Sequence, residues 1–256
     1  MKKRILLFFL ACTFLTALPL FLRPLYEPPV LMYHRVGYPE DHPGLYVTPE
    51  SFERQMEFLK AHHYRVWPLA ELVRAIKANE KIPMNVVVIT FDDGYLDNIK
   101  NVFPVLKKMN FPATIFMITD NLGKEDWLSE EDLRILDGSG IAIGSHTASH
   151  AFLPDLSSAR RREEIVESKE KLEAILGHVV TLFSYPAGGT TPEICDIVKG
   201  AGYDGAVTTN YLSQKLNPYA IHRIKVSDAH GNLFNFWLKT SGFYHLGKKR
   251  VEVKSP

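Results

Sequence analysis

Residues 87–94 read Val-Val-Ile-Thr-Phe-Asp-Asp-Gly, a run of β-branched and aromatic residues that stops at two carboxylates and a glycine. The run predicts a buried strand, Asn85–Phe91, with Asp92 and Asp93 at its carboxyl end, where α/β proteins place their chemistry. Adjacent side chains at a strand end diverge, so the two carboxylates can take different roles. An Asp-Gly turn with no chemistry gives the same letters, and this segment alone does not separate the two readings.

Around this strand, strand-like runs alternate with amphipathic ones. Val30–Val36, Tyr64–Trp67, Ala113–Ile118, Ile141–Gly144, Thr181–Tyr185, Gly205–Thr208 and Ile221–Val226 read as strands. Thr48-Pro49-Glu50 opens a helix, with Thr48 as cap and Pro49 in the first turn, and Phe52, Met56 and Leu59 give it an apolar face. Leu69–Ala78, Leu96–Met109, Ser158–Leu176 and Asn232–Thr240 read as further helices. Ser129–Asp132 is a capping-box-like start, and a helix from Thr191-Pro192-Glu193 is stopped by Gly200 and Gly202. This order predicts an α/β fold with a parallel sheet. About seven or eight βα units predict a closed or nearly closed barrel in a single catalytic domain. An open doubly wound sheet is the alternative, but no Gly-x-Gly-x-x-Gly supports a nucleotide site.

The amino terminus is of another kind. Lys2, Lys3 and Arg4 precede an uncharged stretch of 18 residues, Ile5–Leu22. That length is at the lower limit for a bilayer span and exceeds a usual signal-peptide core. The basic flank puts that end in the cytoplasm and the remainder outside. With no Ala-x-Ala cleavage site following, residues 1–22 are expected to be an uncleaved membrane helix. Residues 23–29, with Pro24, Pro28 and Pro29, then form a linker, 30–245 the catalytic domain and 246–256 a polar tail. The expected location is the cell membrane, single-pass with the domain outside; cleavage would make the protein secreted. Cys12 and Cys195 fall in different regions and cannot pair. A net charge of +1 gives no sign of a nucleic-acid partner.

Residues 144–150, Gly-Ser-His-Thr-Ala-Ser-His, follow another strand. On one helical turn His146 and His150, four apart, would face the same side and could share a metal ion. With Asp93 the set becomes two imidazoles and a carboxylate, which leaves coordination positions open, as catalytic metals require. Zinc suits such donors, with cobalt and manganese as alternatives. Asp92 stays off the metal as general base beside a water made nucleophilic at neutral pH, the chemistry of amide or ester hydrolysis.

Thr90-Phe91-Asp92-Asp93-Gly94 and Ser145-His146-Thr147-Ala148-Ser149-His150 resemble the first two motifs of the polysaccharide deacetylases, the NodB-homology domains of carbohydrate esterase family 4. The resemblance spans roughly residues 28–240 and implies a distorted (β/α)7-8 barrel that removes N-acetyl groups from sugar polymers. It implies Asp92 as base and Asp93, His146 and His150 as metal ligands. Phe183-Ser184-Tyr185-Pro186-Ala187-Gly188 occupies the third motif, with Ser184 where the family has the arginine that braces the catalytic aspartate. Its Tyr-Pro-x-Gly form is similar to the branch that deacetylates poly-N-acetylglucosamine in biofilms, which implies an oxyanion and substrate site at Tyr185, Pro186 and the Ala187 N–H. In that branch the general acid lies on an amino-terminal Met-Tyr-His strand, which implies His34, with His222 as rival. On the late strand His222 and Arg223 should face opposite ways, and Arg223 could replace the missing brace.

The remaining candidates carry less. His42, His62, His63, His178, His230 and His245 fall in loops or at helix ends. Trp127 and Tyr211 read as exposed-looking loop aromatics that could stack on sugars or equally pack into the core, and Arg160–Lys171 as a solvated helix face. The expected partners are a polysaccharide and the membrane, with no nucleic acid or nucleotide, and a monomer is expected. An O-acetyl esterase acting on xylan or another wall polymer and a catalytically silent sugar-binding module are the competing functions.

Overall fold

The computed structural model describes residues 21–38, 43–211, 216–228 and 232–248. In chain order its strands are β1 (Val30–Tyr33), β2 (Arg35–Val36), β3 (Tyr46–Val47), β4 (Arg65–Val66), β5 (Val86–Phe91), β6 (Thr114–Met117), β7 (Ala142–Ser145), β8 (Leu182–Ser184), β9 (Gly205–Thr208), β10 (Ile221–His222) and β11 (Ile224–Lys225). Its α-helices are α1 (Pro49–Ala61), α2 (Leu69–Lys77), α3 (Phe103–Met109), α4 (Glu130–Gly138), α5 (Ser158–Leu176), α6 (Pro192–Gly200) and α7 (Leu233–Thr240).

The sheet runs β10-β9-β8-β7-β6-β5-β1-β11, and all its strand pairings are parallel. Its two edges are consecutive in the chain. Ile221 and His222 pair with Val207 and Thr208, and Ile224 and Lys225 pair with Leu31 and Met32. At the junction the Arg223 N–H donates to the Thr208 carbonyl at 2.9 Å, and farther on the Val226 N–H donates to that of Met32 at 2.9 Å. One segment thus joins both edges, and the sheet becomes a nearly closed barrel. The expected single strand Ile221–Val226 breaks at Arg223, because it changes partner there.

Val30–Val36 divides in the same way. β1 stays in the barrel, while β2 turns away after His34 to pair with β3 in a separate two-stranded sheet. Leu96–Met109 is not one α-helix. Asn98–Val102 forms a π-turn before α3. Pro104 lacks the N–H that a continuous helix would donate to the Lys100 carbonyl, which accounts for the irregular turn.

The caps fall where side-chain chemistry puts them. Thr48, Ser157, Thr191 and Asn232 each accept a backbone N–H, and Ser129 and Asp132 form a reciprocal capping box. The core lies between barrel and helices. Tyr33 stacks on Phe91 at 5.2 Å and meets Phe52 of α1 edge-on at 5.4 Å. Burying each ring is worth roughly 1.5–3 kcal/mol. Among the described residues no helix is long and apolar enough to cross a membrane. The expected membrane helix lies outside them, apart from residues 21 and 22.

Candidate active site and metal centre

The carboxyl ends of the barrel strands open onto a cavity of about 740 Å³. Asp92, Asp93, His34, His146, His150, His222 and Arg223 all line it. After β5, Asp93 and Gly94 take φ values of 74° and 84°, so the chain turns sharply just where the adjacent carboxylates part.

Asp92 is buried beside a fully buried arginine. Arg223 Nη1 donates to Asp92 Oδ1 at 2.6 Å and Nη2 donates to Oδ2 at 2.5 Å. The same guanidinium donates to Ser184 Oγ at 2.8 Å and to Thr90 Oγ1 at 3.2 Å. Ser184, small where the family has arginine, sits beneath a guanidinium supplied by the closing segment. Burial raises the Asp92 carboxyl, but the charge of Arg223, then His146 and the Arg223 hydrogen bonds, outweigh it and hold the group far below the usual carboxylate range. Asp93 goes the other way: burial, and then the Asp92 charge, push it up to about 7.

His146 and His150 come together, though not on a helical turn. They lie in a loop after β7 in which Thr147 and His150 take φ values of 64° and 63°. Ser149 holds the loop to Glu164 of α5 through its N–H at 2.9 Å and its hydroxyl at 2.6 Å. The Asp93, His146 and His150 donor atoms lie within 4.8 Å of one another, close enough to hold one metal ion. His146 Nδ1 faces the Ser184 carbonyl at 2.8 Å. A carbonyl only accepts, so Nδ1 carries the proton and Nε2 presents a lone pair toward Asp93. Burial, only partly opposed by Asp92, lowers His146 to about 4, and burial also lowers His150. Neutral imidazoles beside a carboxylate fit a divalent ion such as zinc.

His34 lines the cavity with its Nδ1 buried and without a hydrogen-bond partner. Burial lowers it to about 4, Asp92 opposing. His222 also lines the cavity. The His222 ring meets Tyr211 edge-on at 5.0 Å. Burial, then Lys248 and His245, lower it to about 4.

In the third segment, Ala187 is exposed at the cavity with a φ of 50°. Tyr185 lines the cavity, but its hydroxyl points away and donates to the Tyr219 carbonyl at 2.9 Å. Pro186 shapes the turn and is not among the lining residues. Tyr211 is buried rather than exposed, and its hydroxyl donates to Glu27 at 2.8 Å. Trp127 is half-buried at the cavity and stacks on Tyr95 at 4.6 Å. The solvated reading of Arg160–Lys171 fails at Arg161, Glu164 and Lys169, all buried. Arg161 donates to the Leu153 and Pro154 carbonyls at 2.9 Å each. Glu164, and Tyr95 at the cavity wall, are the site residues that sequence reasoning missed. His42 and His230 lie outside the described residues.

The sequence profile of the family described as polysaccharide deacetylase matches residues 79–206. The chain is 33% identical over 215 residues to YxkH of Bacillus subtilis (strain 168), classed by name with the polysaccharide deacetylases, across 83% of this chain and 76% of that one. It is 28% identical over 208 residues to the poly-β-1,6-N-acetyl-D-glucosamine N-deacetylase of Staphylococcus aureus (strain MSSA476), covering 75% of this chain and 71% of the relative. Among solved structures, the Streptococcus pyogenes deacetylase PplD in complex with acetate superposes with a TM-score of 0.75 at 28% identity, over 84% of this chain and 97% of that one.

Proposed function

The chain belongs to the polysaccharide deacetylase family, and on that footing we propose that it removes N-acetyl groups from a cell-surface polymer of N-acetylglucosamine, using a divalent metal ion, zinc first, at Asp93, His146 and His150. The observation that carries the proposal is the pairing of Asp92 with Arg223 immediately beside that converged donor set. Similarity to the poly-β-1,6-N-acetylglucosamine deacetylase supports the choice of polymer. The apolar stretch Ile5–Leu22 supports a domain held outside the cell membrane.

A bound divalent ion would polarise the acetyl carbonyl and acidify water. The other roles fall to the chain. Asp92 is kept ionised by Arg223 and accepts the proton that water loses as it attacks. A carboxylate held this low is a weak base and takes a proton only from a strongly acidified water. The Ala187 N–H, at the cavity's edge, supports the oxyanion. His34, neutral at rest, takes over the proton that Asp92 received from water and passes it to the departing amine as the C–N bond breaks. The Asp92 charge partly offsets the burial of His34, whereas Lys248, His245 and Arg223 add to that of His222, which favours His34 as the acid. The products are acetate and a free amine.

The test is acetate release by the full chain from β-1,6- and β-1,4-linked N-acetylglucosamine oligomers and from O-acetylated xylan oligomers, with and without chelator. Chelator-sensitive release from an N-acetylated oligomer, restored by zinc, is expected. Release from the O-acetylated oligomer alone would replace the amidase reading with an esterase.

A further inference from the structure

Helix α7 is apolar on two faces. Its inner face packs normally: Phe236 meets Phe58 of α1 edge-on at 5.7 Å, and Thr240 Oγ1 donates to the Tyr64 hydroxyl at 3.3 Å. On the outer face Leu233, Phe234, Trp237 and Leu238 stand one turn apart in two pairs, with Phe234 62% and Trp237 45% exposed. The Phe234 and Trp237 rings lie 5.7 Å apart, so they form one patch. Four large apolar side chains facing water on a short helix mark an interaction surface. None of the four lines the catalytic cavity.

The path of the chain indicates what covers them. The apolar stretch Ile5–Leu22 enters the described region at Phe21, 76% exposed, followed by exposed Leu25. Tyr26 then packs edge-on against Phe243 at 6.1 Å, and the Glu27 N–H donates to the Gly242 carbonyl at 3.0 Å. Gly242 and Phe243 come directly after α7. The contact is close: a Cβ on Gly242 would meet Tyr26 ring carbons at 2.1 and 2.3 Å. Fixed contacts therefore hold the end of the apolar stretch beside the end of α7. Trp, Phe and Leu on one face, with Arg23 at the neighbouring exit, is the composition of a segment lying at the boundary of headgroups and acyl chains.

We propose that α7 is a membrane-docking helix, whose Leu233, Phe234, Trp237 and Leu238 enter the surface of the bilayer into which residues 5–22 insert. The proposal rests on the reading of 1–22 as a membrane segment and adds a second contact to it. One flank of the barrel then lies on the membrane. The tether joins at the opposite end of the barrel from the cavity, since the Tyr26 hydroxyl donates to the Val86 carbonyl at the start of β5. The catalytic mouth stays open to polymer.

The experiment places the full chain in phosphatidylcholine–phosphatidylglycerol vesicles carrying lipids brominated at a shallow acyl position. The chain has three tryptophans. Quenching of the wild type is expected, with the quenched component absent in Trp237→Phe and reduced in Phe234→Glu. Both variants should release acetate from soluble oligomers as the wild type does, which shows that they are folded. A vesicle-bound wild type whose emission is not quenched, or a Trp237→Phe variant quenched equally, overturns the docking helix while leaving the membrane segment standing. A chain that does not associate with vesicles overturns both. Absence of quenching together with a detergent-stable dimer that Phe234→Glu dissociates would assign the face to a second copy instead, and also overturns the proposal.

Discussion

Arg223 and Asp92 are both almost inaccessible to water, and neither charge could stand there alone. Replacing Arg223 with Ala leaves a buried, unpaired carboxylate, and urea unfolding should report a loss of about 3–5 kcal/mol. The double variant Asp92→Asn, Arg223→Met removes both charges and should be more stable than Arg223→Ala, though inactive. Equal stabilities would mean that the unpaired Asp92 carboxylate carries no burial penalty. Glu164 acts one layer out. Its two oxygens accept from the Ser149 N–H and hydroxyl, and a Gln amide has only one acceptor oxygen to offer. Glu164→Gln should weaken zinc binding roughly 10–100-fold in a chelator competition, as losses of supporting groups around metals do. Unchanged affinity would show that the loop needs no such tie. Asp92, Asp93, His146 and His150 could be read from the sequence because the chemistry dictates residue types. How His146 meets His150 could not, because helical spacing stood in for a loop with two left-handed residues. Glu164 was hidden for another reason: in a charged run, composition does not tell which charges a fold will bury.

At the scale of elements, β7 depends on having no side chain at Gly144. A Cβ there would meet two Phe116 ring carbons at 2.6 Å and the Leu182 carbonyl oxygen at 2.9 Å. Gly144→Ala should cost about 1–3 kcal/mol by overpacking. Because His146 follows two residues later, zinc affinity should fall with stability; a variant as stable as the wild type would mean that the strands give way freely. A weaker contact ties the end of α5 to α4: His178 Nε2 lies 2.9 Å from Asp137. The hydrogen bond to Asp137, then that to the Val179 carbonyl, raises the His178 pKa. A raised imidazole contributes stability that is fully present below its unfolded value of about 6.5 and lost as pH rises through the folded value. The pair is exposed, so the effect is well under about 1 kcal/mol. The stability difference between wild type and His178→Ala should shrink from pH 5.5 to pH 8.5, and a growing difference would contradict the assignment. Helix starts were legible because Thr48, Ser129, Thr191 and Asn232 act on their own neighbours. The breaks at His34 and Arg223 were not, because each marks a change of pairing partner distant in the chain, which local periodicity does not record.

For the whole molecule, the site couples to global stability through Asp93. Unfolded, this carboxyl titrates near the ordinary aspartate value of about 3.9; folded and free of metal, burial and Asp92 hold it at about 7. Between those values the folded chain keeps a proton that the unfolded chain has released. Stability from this group is present below the lower value and lost as pH rises through the upper one, at up to about 1.4 kcal/mol per pH unit. Asp92, depressed by Arg223, works with the opposite sign at lower pH and is common to wild type and Asp93→Asn. In chelator, therefore, the wild type should lose stability relative to Asp93→Asn as pH rises from 5 to 7. Zinc should reverse this for the wild type alone, since the ion needs the ionised carboxylate and its binding displaces the proton. At a hundred times its dissociation constant, zinc should add about 2.7 kcal/mol to the wild type. Urea titrations at pH 5, 6, 7 and 8, with zinc and with chelator, measure all of this. Parallel curves for the two proteins in chelator would mean that Asp93 is already ionised in the metal-free fold, and the burial that sets the site apart from an ordinary surface cluster would lose its energetic consequence.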